Sequence, residues 1–471
     1  MKHKTLRFLT AGALCLSLFF GSPGLITSLA APRYMPGVTA EMSDPAFWSK
    51  NVEDPNALLA DPYKIAELNA SFLAALDCKM NDLKHYDDFF DGDAFKQRMT
   101  ESAAKEMEKF ANGKYFDMAG NTVTAEFLAP VLENLAGLHV SSKQYVSYGI
   151  CTNRSDIRSY PTIQIVTDAL GDIDYDEFQL GELRVGEPVI IKAMSADRLY
   201  YYVVSDCVSG WTFVGDIAVC KDKNEWLAAS EIPADRALVV AEGKFRLERS
   251  NTNPDISERL LTLGTVLKQA TDAEAEITIT NRRAFNNYAA WLPMRDENGK
   301  YYKKLVLIPE NRGVHEGYLP LTTNNILNTA FSMLGDAYGW GAMLGSVDCS
   351  AYIRDIYHCF GLNLPRNTTW QSAMPVAKLT FEKEAPVTLK KEVLNTLPPG
   401  AVLFFSGHEM MYLGHVGDNY YVISSVSSIK DAESGTKMRL RGIVISTLET
   451  NRMSGHTWLE DIHTALLPYV N

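Results

Sequence analysis

Cys349 is the residue best placed in this sequence to act as a nucleophile. It sits in Gly345-Ser346-Val347-Asp348-Cys349-Ser350-Ala351-Tyr352. A turn there delivers the thiol to the first position of a predicted helix whose apolar stripe is Tyr352, Ile353, Ile356, Tyr357 and Phe360. Unpaired N–H groups and the helix dipole favour negative charge in a first turn, which biases such a thiol toward thiolate. A thiol so biased needs mainly a nearby base. Three histidines are candidates. His358 lies nine residues along the same helix, two and a half turns away on the opposite face, and reads as structural. His415 stands in Gly414-His415-Val416-Gly417, followed by Asp418-Asn419, and reads as part of a turn. His408 closely follows the strand-like run Pro399 to Phe405 and can open the next strand facing a cleft. Taken alone, a cysteine in an apolar helix is more often a small core residue than a nucleophile.

The surrounding motifs change that balance. Upstream lies Tyr338-Gly339-Trp340-Gly341, then Asp348-Cys349-Ser350. Downstream come Leu364-Pro365-Arg366-Asn367 with Gln371, then Pro399-Gly400-Ala401-Val402-Leu403-Phe404, then His408 with Tyr412 and Gly414 at the offsets of H-x-x-x-Y-x-G. In this order they resemble the NlpC/P60 family of cell-wall cysteine peptidases; Ala401 departs from the pattern, which has Asp there. The resemblance implies Cys349 as nucleophile and His408 as proton carrier. It implies Asp348 and Ser350 as binders of the peptide's free amino end, and Tyr338 as a donor near the oxyanion. Asp348 also reads as a helix N-cap. Where the family usually carries a third polar residue, commonly His, this chain has Ser424 on the run Tyr420 to Ser425. The implied reaction is hydrolysis of the γ-D-glutamyl–diamino acid bond of peptidoglycan stem peptides, with no metal and no cofactor. The departure at Ser424 motivates a rival, a wall-binding protein with a degenerate catalytic domain. An amidase or acyltransferase on the same fold is a third reading.

The elements that must position these residues follow from texture. The 471 residues contain 46% hydrophobic and 22% charged residues, an ordinary globular balance. Residues 31–143 read as helical and irregular, with helices near Ile65–Leu76, Ala94–Phe110 and Ala125–Ala136, the last interrupted by Pro130 and stopped by Gly137. Asp87, Asp88, Asp91 and Asp93 lack calcium-loop spacing and read as a solvated loop. From about Gln144, short alternating runs separated by Gly, Pro and Asp predict two successive small β-barrels. These runs include 187–191, 199–204, 210–214, 236–240, 264–267, 276–279 and 301–307. Helices followed by strands after Pro320 predict an α+β domain. The family resemblance names the parts of this multidomain fold. They are a helical clip-like domain (31–143), two bacterial SH3 domains (144–225 and 226–319) and a papain-like catalytic domain (320–471). In similar proteins the first SH3 domain walls the cleft, and Tyr200-Tyr201-Tyr202 or Trp211 are candidates for that role here.

Residues 1–30 read as a secretory signal peptide: Lys2, Lys4 and Arg7, an apolar run from Phe8 to Phe20, and small residues at Ser28 and Ala30. The expected mature chain is exported, periplasmic or secreted, without stable membrane insertion. With 45 cationic and 57 acidic residues the net charge is -12, and loss of three cations takes it to -15. Such acidity disfavours nucleic acid as a partner. Stem peptides with a free amino end are the expected partner, and a monomer the expected state. Of the six remaining cysteines, Cys207 and Cys220 are a candidate disulfide, buried free thiols being the alternative.

Overall fold

The computed structural model describes residues 33–276, 279 and 281–470. The signal-peptide segment lies outside these residues. So do two positions of the run 276–279, of which Glu276 ends a short helix and Ile279 makes a single bridge to Arg282.

Three longer helices open the chain: α1 (Pro62–Ala74), α2 (Gly92–Asn112) and α3 (Ala125–Ala136). Each begins on a side-chain cap, Asp61, Asp91 and Thr124 respectively. Asp91 thus serves α2, and Asp88 accepts a hydrogen bond from Tyr148 at 2.9 Å. Pro130 does not interrupt α3, contrary to expectation. It lies mid-helix and removes a single backbone bond, while Leu128, Val131 and Leu135 bury the helix against α2. These helices share no core of their own. Leu68 and Phe72 of α1 are sealed into the C-terminal core beside Tyr352 and Phe360, each burial worth about 1.5–3 kcal/mol. Asn69 adds two backbone bonds, to Gly361 and Asn363, both at 2.8 Å. The faces of α2 and α3 bury instead against Phe178, Ala193 and Trp211.

Seven antiparallel strands follow: β1 (Ser147–Cys151), β2 (Ser155–Arg158), β3 (Gln179–Leu183), β4 (Pro188–Met194), β5 (Tyr200–Val204), β6 (Ser209–Phe213) and β7 (Ile217–Val219). Their order is β3-β2-β6-β5-β4-β1-β7. Leu183 of one edge strand and Ile217 of the other lie in a single cluster with Cys151, Ile157, Val189 and Val203, so the sheet rolls around one interior. A second antiparallel sheet comprises β8 (Ala237–Val240), β9 (Val266–Gln269), β10 (Asn287–Arg295), β11 (Tyr301–Pro309) and β12 (Val314–Glu316), in the order β11-β10-β9-β8-β12.

The C-terminal part places α4 (Thr323–Phe331) and α5 (Cys349–His358) against a six-stranded sheet. Its strands are β13 (Lys378–Thr380), β14 (Val402–Phe405), β15 (His408–Val416), β16 (Asn419–Lys430), β17 (Lys437–Thr447) and β18 (Thr464–Leu466), ordered β13-β18-β14-β15-β16-β17. Alternation sorts β15 and β16. Met411, Leu413, Tyr421 and Ile423 bury with Ala351 and Tyr352 of α5, while Met410, Tyr412, Tyr420 and Val422 bury with Trp458 on the other face. Cys207 and Cys220 are not paired: all six described cysteines are free thiols, and all but Cys349 are buried.

Candidate active site

The chain enters α5 through an unusual turn. Gly341, Ala342 and Leu344 all adopt positive φ, and a Cβ on Gly341 would collide with Gln179 of β3 at 2.5 Å. Tyr338 bridges to Val347, and Ser425 of β16 donates to the Val347 carbonyl at 2.8 Å. Asp348 then caps the helix by accepting from the Ala351 N–H at 2.8 Å. Its carboxylate is gripped by Arg366, Nη1 to Oδ1 at 3.2 Å and Nη2 to Oδ2 at 2.8 Å. Arg366 Nη1 also donates to Ser350 Oγ at 3.1 Å, and Ser350 donates to Asp348 Oδ1 at 3.2 Å. Gln371 holds the surrounding backbone with bonds to the carbonyls of Ser350 and Pro365, both at 3.0 Å. Asp348, Ser350 and Tyr338 therefore converge around Cys349, with Tyr338 buried and its hydroxyl pushed strongly up by burial, Asp348 and Cys349.

The sulfur of Cys349 lies 3.7 Å from Thr368 Oγ1, and that hydroxyl and the backbone N–H of Glu409 both favour its thiolate. Burial, Asp348 and Glu409 push its thiol up to about 12. The thiolate bias expected from the helix start is thus outweighed by desolvation and two carboxyl groups. Glu409 was not anticipated from the sequence. It is wholly buried, both its oxygens lack a hydrogen-bond partner, and burial together with Asp348 pushes its pKa well above the ordinary range.

His408 opens β15, one residue before Glu409. Its ring leaves the strand on the face of Met410 and Tyr412, resting on Phe405 and Trp458 at centroid distances of 5.2 and 5.4 Å. Ser424 Oγ lies 3.3 Å from its Nε2. Burial and the cation of Arg452 push the imidazole down to about 3. The structure thus joins His408 to Ser424, and Cys349 to Asp348, Ser350 and Glu409, at one end of the sheet; no hydrogen bond links Cys349 to His408 among the described residues. The other histidines stand apart. Nδ1 of His358 lies 2.8 Å from the Gly264 carbonyl beside the second sheet. His415 is exposed near the end of β15, paired with Tyr420 rather than in the turn itself, and its Nδ1 lies 3.1 Å from the Gly417 carbonyl.

Neither Trp211 nor Tyr200–Tyr202 walls the site. Trp211, Tyr200 and Tyr202 pack into the core shared with α2 and α3, and Tyr201 packs against the interior of the rolled sheet. The wall is built instead by the loop before β3. Tyr175 stacks on Trp340 at 4.1 Å, close enough to Asp348 to feel its charge. Asp172 pairs with Arg441 and Arg439 of β17, and Gln179 donates to the Gly341 carbonyl at 3.1 Å. The aromatic runs stood out in the sequence as clusters, whereas Tyr175 lies alone in an acidic loop and gives no such signal. Among the described residues no group of His, Cys, Asp and Glu is arranged to hold a metal ion, and no helix is long and apolar enough to cross a membrane.

Comparison with known proteins bears on this geometry. Residues 335–464 match the NlpC/P60 family, and residues 167–212 match an SH3 domain of the SH3b1 type. The chain thus carries an NlpC/P60 domain containing the Cys349 site, and an SH3b domain supplying its wall. No curated protein matches the sequence. The structure of an NlpC/P60 endopeptidase from Photobacterium damselae subsp. piscicida shares the fold, with a TM-score of 0.71 at 17% identity over 90% of this chain and 97% of that one. NlpC2 from Trichomonas vaginalis aligns over 66% of this chain and 98% of its own, with a TM-score of 0.23 and 12% identity.

Proposed function

We propose that an NlpC/P60 domain, walled by an SH3b domain, makes this protein an exported peptidoglycan hydrolase that cuts an amide bond of stem peptides bearing a free amino end. The observation that carries the reading is the constellation at the start of α5: a thiol at the first helical position, with Asp348, Ser350 and Arg366 beside it. The amino end of the peptide binds at Asp348 and Ser350, which selects unblocked peptides. Cys349 Sγ attacks the scissile carbonyl carbon. With thiol and imidazole both neutral at rest, attack is general-base assisted: the His408 ring turns from Phe405 and Trp458 toward Cys349 and takes the thiol proton as the C–S bond forms. Ser424 engages Nε2, which leaves Nδ1 for that proton. The Tyr338 hydroxyl donates to the developing oxyanion. Collapse breaks the C–N bond, His408 returns the proton to the leaving amine, and water releases the acyl group from sulfur as a carboxylic acid. The bond is the γ-D-glutamyl–diamino acid linkage. Residues 1–30 direct export to the periplasm or beyond, 31–143 act as a clip, and 226–319 form a second SH3-like module on a protein that acts as a monomer.

A second reading, a wall-binding protein with a silent catalytic domain, is favoured by the raised thiol and by the lack of a Cys349–His408 hydrogen bond. Purified stem peptides decide between them. Wild type is expected to release diamino-acid product and Cys349→Ala to release none; equal turnover refutes the nucleophile, and no turnover by wild type establishes the silent reading.

A further inference from the structure

The buried charges around α5 form a line that crosses from one part of the molecule to the other. Asp348 pairs with Arg366, Arg366 with Glu182 of β3 (3.7 Å), Glu182 with Arg354, Arg354 with Asp355 (3.0 Å), Asp355 with Arg184 (2.9 Å), and Arg184 with Glu187 (2.6 Å). The signs alternate, and both ends are acids. Four acids face three arginines, so the line carries one net negative charge. Arg154 also approaches, but its guanidinium is spent on the carbonyls of Ala342 and Ser346 at 2.8 and 2.6 Å.

Arg366 is the shared member nearest the site. Its Nη2 lies between Asp348 Oδ2 and Glu182 Oε2, the latter oxygen fully buried without a hydrogen-bond partner. Were Asp348 the sole partner of Arg366, the bidentate pair would present little charge to an incoming ammonium. Glu182 draws on the same guanidinium from the far side. Asp348 then keeps part of its negative charge, in a place where burial makes charge interactions strong.

We propose that Glu182, supplied by the SH3b part of the chain, is a positioning residue for the amine subsite: by holding Arg366 it sets the charge that Asp348 presents to an ammonium beside Cys349. The cleft is therefore electrostatically complete only with the first barrel in place. This deepens the hydrolase reading and rests on it for the identity of the natural ligand.

The test uses the full-length protein and two thiol reagents of similar size, cationic 2-aminoethyl methanethiosulfonate and neutral ethyl methanethiosulfonate. Modification of Cys349 is followed by mass spectrometry. Wild type is expected to favour the cationic reagent, and Glu182→Gln to cut that preference about five- to tenfold. Asp216→Asn, which removes a carboxylate of the same barrel that accepts from Asn153 and Ser155 and does not touch Arg366, is expected to leave the preference unchanged. In parallel, Glu182→Gln raises KM for a free-amine stem peptide by about the same factor, with kcat within about twofold and no effect on the N-acetylated peptide. An unchanged reagent preference in Glu182→Gln, or an equal fall in Asp216→Asn, overturns the inference. Should Glu182→Gln fail to fold, Glu182→Asp withdraws the carboxylate by one methylene and is expected to lower the preference in part; wild-type preference there overturns the inference equally. Absence of peptide hydrolysis by wild type refutes the hydrolase reading alone, because the reagent preference is read without turnover.

Discussion

Glu409 offers the sharpest physical test of the site. Its carboxyl group is buried on β15 with both oxygens unpartnered, and burial and then Asp348 raise its pKa, Arg366 opposing them. The folded protein therefore keeps a proton on Glu409 that the unfolded chain releases above the ordinary value of 4.5. With more protons bound in the folded state, stability is highest below that value and falls as pH rises, until the raised folded value is passed. The slope for one group is about 1.4 kcal/mol per pH unit, so two units within the window cost about 2.7 kcal/mol. Glu409→Gln keeps the shape of the protonated acid and removes the titration. Urea unfolding of both proteins, followed by tryptophan fluorescence between pH 5 and pH 8, gives the difference in stability at each pH. Every other titrating group cancels in that difference, including His408, whose lowered pKa costs stability on the acid side instead. The variant is expected to gain on wild type steadily with pH, and the pH at which the gain levels off reads the folded pKa directly. Parallel curves across the range would mean that Glu409 is ionised and solvated, and the account of the Cys349 environment would fall with it.

A thiol pushed up to about 12 makes alkylation of Cys349 by iodoacetamide climb about tenfold per pH unit from pH 7 to pH 9, without a plateau; a plateau below pH 8 would show a preformed thiolate. Arg366→Ala leaves Asp348 and Glu182 buried without their shared cation and is expected to cost about 3–5 kcal/mol in denaturant unfolding; a loss under about 1 kcal/mol would show that the carboxylates are solvated. Trp211→Ala is expected to lower stability by about 3–5 kcal/mol while leaving peptide selectivity intact, since the indole is core and not wall; a change in selectivity with unaltered stability would reverse that assignment.

The fold was legible where local pattern and tertiary burial agree. Leu68 and Phe72 mark the buried face of α1 in sequence and in space, and the runs 187–191, 199–204, 210–214, 236–240, 264–267 and 301–307 do fall on strands. Pattern ran out where burial is shared between distant segments. The helices of 31–143 look like a unit along the chain, yet α1 belongs to the C-terminal core, and α2 and α3 to the rolled sheet. Pro130 misled for a related reason: a penalty read locally was offset by three apolar contacts that only the packed structure supplies. Tyr200–Tyr202 and Trp211 could not be assigned between wall and core, because a cluster of aromatics gives no information about which element covers it.

At the site, motif spacing brought Asp348, Cys349, Ser350 and Tyr338 together correctly in space, because one turn and one helix carry most of that geometry. It could not show how parity along β15 divides His408 from Glu409. A strand sends successive side chains to opposite faces, so the residue beside a motif position meets surroundings wholly unlike those of its neighbour. Here one step puts an imidazole against Phe405 and Trp458, and the next puts an orphan carboxyl among Asp348, Arg366 and the thiol. The same blindness hid Glu182, which lies 184 positions before Arg366 and meets it only because the loop before β3 folds onto the turn entering α5. The thiol's ionisation is therefore governed less by the dipole of its helix than by burial, the Asp348 cap and Glu409 of β15. These must assemble together before the cysteine acquires the environment in which it would act.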